Sequence, residues 1–128
     1  MARVSRTSAT IHNEFGPGEE YTEHLDDTTV NFVTIHEDSD LAPLLVGLPD
    51  DKCQCRHWGY LLSGQMIVTY ADRVEVIDPG DAFYMTPGHS PKALAGSEFV
   101  IFSPKEELAA LEAHFASVMQ KMQTAQAR

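Results

Sequence analysis

Turn-forming residues recur every eight positions through the middle of the chain, at Gly64, Asp72, Gly80, Gly88 and Gly96. A chain reversed that often has room only for short strands between reversals, which selects an all-β sandwich or barrel. The intervening runs suit strands: Gly59 to Leu62, Met66 to Tyr70, Arg73 to Ile77, Ala82 to Met85 and, beyond the last turn, Phe99 to Phe102. Asp78-Pro79-Gly80-Asp81 and Thr86-Pro87-Gly88-His89 each put Pro second and Gly third, as a type II turn requires. Tyr70-Ala71-Asp72-Arg73 is a hairpin signal that relies on Asp72 adopting a left-handed conformation. The rhythm is turn spacing, with no duplication of sequence behind it.

At 128 residues the chain suits one domain. Residues 1–18 are polar and end in the breakers Phe15-Gly16-Pro17-Gly18, so they are expected as an N-terminal arm. The barrel is expected over 28–103, opening with a β-branched strand from Thr28 to His36. Leu41 to Leu48 is apolar but interrupted by Pro43 and Gly47, which reads as a packed connection rather than a helix. A C-terminal helix is predicted over 104–123, because Ser103-Pro104-Lys105-Glu106 offers an N-cap Ser, Pro at the first helical position and the Glu of a capping box. Its stripe of Leu108, Leu111, Phe115, Val118 and Met122 is expected to pack on the outer face of the barrel, with pairing across a dimer as the other use. Trp58, Tyr60, Phe83 and Tyr84 are expected to line or flank the barrel, mostly as core, with Trp58 and Tyr60 on opposite faces.

The net charge of −10 bears on partners, since no Lys or Arg stands between Arg6 and Lys52 while eleven of the nineteen acids do. Such a stretch repels phosphates, which argues against nucleic acid and against an anionic membrane surface as partner. No apolar run approaches the roughly 20 residues of a membrane span, and the N-terminus lacks the apolar core of a signal peptide. A cytoplasmic location is therefore expected. In that reducing setting Cys53 and Cys55 are better suited to metal binding than to a disulfide, and a Cys-x-Cys bond along one strand would close a small, strained ring.

Cys53-Gln54-Cys55-Arg56-His57 sets three metal-competent side chains at alternate positions, which an extended chain points to one face. Adjacent thiols would lie about 6.6 Å apart at Cα, a span that suits chelation, whereas Cys53 and His57 can share an ion only if the chain bends. A plain alternative is a barrel interior filled by two small thiols and a hydrogen-bonded His. Three such residues in five, from only two Cys and six His in the chain, favour the metal. His24 and His36 in the acidic third, His114 on the helix and His12 in the arm are expected to be bystanders.

The strand Trp58-Gly59-Tyr60-Leu61-Leu62-Ser63 ending at Gly64, followed by Asp78-Pro79-Gly80-Asp81 and Thr86-Pro87-Gly88-His89, resembles the two motifs of the cupin superfamily over roughly residues 50–103. Cys-x-Cys-x-His-Trp-Gly-Tyr followed by Pro-Gly-His is similar to a subgroup of small, uncharacterised single-domain cupins. The resemblance implies an antiparallel jelly roll, a double-stranded β-helix, holding one divalent metal on three His and a Glu. Gly64 and Gly80 match the structural glycines. Counting back from Gly64 sets His57 at the family's Glu, Cys53 at the second His and Asp51 at the first. Pro91 takes the place of the last His, with His89 two residues earlier.

The expected ligand set is accordingly Cys53, Cys55, His57 and His89. Thiolate and imidazole donors favour Zn(II), with Fe(II) second, over Mg(II) or Ca(II). Four protein ligands would close the site, and three would leave a position for water or substrate. The family hosts both enzymes and non-catalytic binders. Two functions are therefore carried forward: a small metalloenzyme acting on a small polar or aromatic molecule, and a non-catalytic binding or sensing domain. A homodimer is the expected assembly, since cupin-like barrels commonly pair through their sheets.

Overall fold

The computed structural model describes residues 3–126. Two antiparallel sheets face one another. The larger has the order β1 (Ile11–Phe15), β2 (Gly18–Leu25), β3 (Thr28–Ile35), β10 (Glu98–Pro104), β5 (His57–Ser63), β8 (Ala82–Met85). The smaller has the order β4 (Ser39–Asp40), β9 (Ser90–Ala93), β6 (Met66–Thr69), β7 (Val74–Ile77). The chain crosses repeatedly between them, and the result is an antiparallel jelly roll closed by one long C-terminal helix. Apolar residues at alternate strand positions point inward from both sheets, with Val33, Leu61 and Phe99 meeting Met66, Val68 and Ile77 in one buried core.

The chain reverses at all five predicted positions, four of them through a left-handed glycine. Gly64, Gly80, Gly88 and Gly96 all have positive φ, between 83° and 97°. The Asp78–Asp81 turn is closed by a hydrogen bond from Asp81 N to Asp78 O of 3.0 Å. At the β6–β7 hairpin, Tyr70 N donates to Arg73 O at 2.8 Å, but Asp72 does not adopt positive φ, contrary to expectation.

Of the arm expected over residues 1–18, the first two lie outside the described residues and 11–15 form a strand. β1 pairs with β2 through Asn13↔Glu20 and Ile11↔Thr22, so the sheet begins at Ile11 rather than Thr28. Strand β9 and the single-turn helix α1 (Ala42–Leu45) were also absent from the sequence expectation. Pro43 sits in the first turn of α1, where its missing N–H leaves no bond unmade.

The C-terminal helix α2 (Lys105–Gln126) differs from expectation in two ways. β10 runs through Pro104, and the Ser103 hydroxyl is buried against His57 instead of capping the helix. The helix also lies over the open end of the barrel rather than on its outer face. Leu108 and Leu111 are buried there with Leu45 of α1, Cys53 and Cys55, and Phe115 packs against that group. Arg56 ties the first turn down, its backbone N donating to Glu107 Oε1 at 3.1 Å and its guanidinium to both oxygens of the same carboxylate. Among the described residues no helix is long and apolar enough to cross a membrane.

Trp58 and Tyr60, two residues apart on β5, share the outer face instead of opposing one another, as strand alternation requires. Trp58 stacks on Tyr84 at 4.7 Å and all three stay exposed, whereas Phe83 packs against the core.

Candidate metal centre

Three of the four predicted ligands converge at the end of the barrel that α2 covers. Cys53 Sγ and one ring nitrogen each of His57 and His89 all lie within 4.8 Å of one another, and all three residues are buried. The backbone explains the convergence. Cys53 and His89 form an isolated antiparallel bridge, with Cys53 N donating to His89 O at 2.8 Å and Gly88 N donating to Cys53 O at 2.8 Å. Gly88, at φ 97°, turns the chain so that His89 follows directly into that bridge. His57 opens β5 after a bend at Cys55, which brings its Nε2 to 3.8 Å from Cys53 Sγ.

Hydrogen bonds orient both imidazoles. His89 Nδ1 donates to the Thr86 carbonyl at 2.6 Å, and because a carbonyl can only accept, the proton of the neutral ring belongs on Nδ1. Nε2 is then a bare lone pair, and it is a buried atom with no hydrogen-bond partner among the described residues. On His57, Nδ1 meets Ser103 Oγ at 2.7 Å, leaving Nε2 facing Cys53. A buried, unpartnered imidazole nitrogen carries a desolvation cost that a cation would remove. The donor set of one thiol and two imidazoles therefore fits a single borderline metal ion.

Electrostatics keep the metal-free group neutral. Burial, helped by the neighbouring His89, pushes His57 down to about 3, and burial likewise lowers His89 against the opposing pull of the Thr86 carbonyl. Burial raises the Cys53 thiol to about 11.

The strand arrangement can be set beside solved structures. The polyketide cyclase RemF from Streptomyces resistomycificus matches with a TM-score of 0.57 and 16% identity, over 82% of this chain and 80% of that one. An RmlC-like cupin from Shewanella frigidimarina matches at 0.54 and 13%, over 79% and 88% respectively. This chain has the cupin fold. An oxalate decarboxylase also matches, at 0.58 and 17%, over 79% of this chain and 28% of the longer protein. No family model matches the sequence, and no curated protein does.

Within this cupin fold the remaining predicted residues lie elsewhere. Cys55, the fourth expected ligand, stands apart from the three. Its thiol contacts His57 from behind, 3.9 Å from Nδ1, and packs with Leu45, Leu108 and Leu111. Burial pushes it up to about 12, with further upward pressure from Cys53 and Glu107, while the Ser103 hydroxyl pulls the other way. Residues 53–56 bend rather than run as a strand, so the alternation does not bring Cys55 to the group that Cys53, His57 and His89 form. Both cysteines are free thiols. Asp51, at the family's first His position, is exposed and accepts from Gly47 N at 2.9 Å. His114 Nε2 meets the Val46 carbonyl at 2.9 Å, which pins α2 to the loop after α1. His12 stacks on Tyr21, His24 meets Thr29 Oγ1, and His36 is exposed.

Ser103 is the site residue that sequence reasoning assigned to another task. Its spacing before Pro104 and Glu106 imitates a helix cap, and only the pairing of β5 with β10 shows that it faces His57. Ser103→Ala removes the partner of His57 Nδ1, so metal affinity is expected to fall roughly 10–100-fold, as for other hydrogen bonds that orient a ligating His. Chelator competition on the folded variant measures this, and unchanged affinity would assign Ser103 to packing alone.

Cys53 and His57 also line a cavity of ≈ 410 Å³. Its walls are mainly apolar, among them Val33, Met85, Phe99, Ile101, Leu108 and Phe115. The cavity is of a size to hold a small organic molecule.

Proposed function

We propose that this cupin binds one divalent metal ion, zinc first and iron second, through Cys53, His57 and His89, and acts as a small metalloenzyme on a small polar or aromatic molecule held in the barrel. The observation that carries the reading is the buried, unpartnered Nε2 of His89 beside a second imidazole and a thiol. Three protein ligands leave coordination positions open, and the cavity that Cys53 and His57 line is where a substrate atom would reach them. A bound ion there would supply Lewis-acid polarisation. Of the chain's own residues, the Thr86 carbonyl and Ser103 hold the imidazoles in place, and α2 with its apolar residues keeps bulk water from the group. The solved neighbours include a polyketide cyclase and an oxalate decarboxylase, so the fold is one that carries enzymes. The exposed outer face at Trp58, Tyr60, Leu62, Tyr84 and Phe102 is compatible with a homodimer, and two free buried thiols suit the cytoplasm.

The test combines stoichiometry with proton release. Both imidazoles are lowered and need no deprotonation above pH 6.5, while Cys53 stays protonated up to about 11, so binding must displace the thiol proton. Affinity should therefore rise with pH, about tenfold per unit between pH 7 and 9, and calorimetry in buffers of different ionisation enthalpy should report one proton released per zinc. Elemental analysis should find one ion per chain. Absence of binding would end the reading. In the cobalt-substituted protein, added azide should change the visible spectrum through the open position. A spectrum indifferent to azide would indicate a saturated ion and the non-catalytic binding or sensing domain.

A further inference from the structure

The cavity has a second polar end. On the inner face of the larger sheet, Asn31 of β3 is 3% exposed, and its Nδ2 donates to Thr22 Oγ1 at 2.7 Å and lies 3.5 Å from Glu20 Oε2. Its Oδ1 is buried without a hydrogen-bond partner among the described residues. Reversing the amide would set that oxygen against the Glu20 carboxylate, so the free group is the acceptor. Asn31, Glu20 and Glu112 all line the cavity, Glu112 from the exposed side of α2 at its rim. Among the described residues no Lys or Arg lines it. This end therefore offers two carboxylates and one orphaned carbonyl oxygen, and nothing with which to balance an anion.

The sheet register locates this end relative to the proposed metal centre. Asn31 pairs with Ile101 of β10, which pairs with Gly59 of β5, two residues along from His57. Two strand spacings separate the rows, so the polar ends stand roughly 10 Å apart across apolar walls.

We propose that Asn31, Glu20 and Glu112 form a recognition site for the protonated amino group of an apolar primary amine lying in the cavity. The site rests on the reading of the cavity as the ligand site, but not on the metal. An ammonium supplies three donors and one positive charge, which meets the Asn31 oxygen and offsets both carboxylates. Glu20 is raised by burial and then by Glu112, with Asn13 opposing, which is the strain a bound cation would relieve. Substrate specificity follows: molecules with a cationic tail are taken, and acids of the same shape are refused.

Tyramine and 3-(4-hydroxyphenyl)propionate share a phenol and differ in the charge of the tail, so they serve as probes. Calorimetry on the full chain, as purified and after chelation, should show tyramine binding at least about tenfold tighter than the acid, the scale of one charge-assisted hydrogen bond. Glu20→Gln and Glu112→Gln should each weaken tyramine by about tenfold while zinc content is unchanged. Glu112 is exposed on the helix, so its replacement leaves the fold intact even if Glu20→Gln does not. No tyramine binding, equal or tighter binding of the acid, or unchanged affinity in folded Glu112→Gln would overturn the proposal. A preference for the amine that persists in protein unable to bind zinc would uphold it while removing the metal reading.

Discussion

Cys53→Ser, His57→Gln and His89→Gln are each expected to lower zinc affinity by 10²-fold or more, while Cys55→Ser keeps stoichiometric zinc. The magnitude follows because disturbing a group that merely orients a ligand costs roughly 10–100-fold, and deleting the ligand itself costs at least the upper end of that range. The contrast between the two cysteines follows from geometry. Cys53 Sγ lies with the Nε2 side of His57, and Cys55 Sγ lies behind the ring near Nδ1. His89→Gln removes a nitrogen that has no partner in the metal-free protein together with the Nδ1 hydrogen bond to the Thr86 carbonyl, so a stability cost of roughly 1 kcal/mol is expected beside the lost zinc. Chelator competition with zinc, run on variants whose thermal transitions show them folded, reads all four. Loss of zinc in Cys55→Ser with retention in His89→Gln would require a different ligand set.

Gly64→Ala is expected to destabilise the protein by at least about 3 kcal/mol, against about 1–2 kcal/mol for Gly80→Ala or Gly88→Ala. All three glycines have positive φ, so each substitution carries the left-handed cost of a side chain. At Gly80 and Gly88 a Cβ would meet nothing within 4 Å. At Gly64 it would lie 2.4 Å from Ser97 Cα and 2.7 Å from Ser97 N, contacts with backbone that cannot rotate aside. Ser97 is itself fixed, fully buried, with its hydroxyl accepting from Gln65 N and donating to Gln65 O at 3.1 Å each. Urea denaturation of the three variants provides the comparison, and equal costs at all three positions would contradict the packing described around the β5–β6 turn.

Legibility differed from region to region for identifiable reasons. The central strands could be read because their turns need glycine or proline and their inner residues are apolar, so both signals coincide. β1 and β2 could not, since Ile-His-Asn-Glu-Phe and the strand beyond it carry Asn13, Glu20 and Thr22 on the face that points into the barrel. In β2 both faces are largely polar, and in β1 the polar Asn13 interrupts the inward pair Ile11 and Phe15, so neither shows a clean alternation. β9 was hidden by Pro91 and Lys92, tolerated there although the strand is paired on both sides. The outer placement expected for α2 failed because its stripe, correctly periodic, says only that one face is buried and not what buries it.

The sequence by itself determined the all-β class, the jelly-roll resemblance, the turn positions and the kinds of donor available, because these depend on local backbone chemistry and residue type. Tertiary structure alone decided which donors meet. The bridge from Cys53 to His89, the bend that turns Cys55 away and the strand pairing that aims Ser103 at His57 join residues up to 46 positions apart. Such contacts are set by which strands lie side by side, and no local pattern encodes that choice.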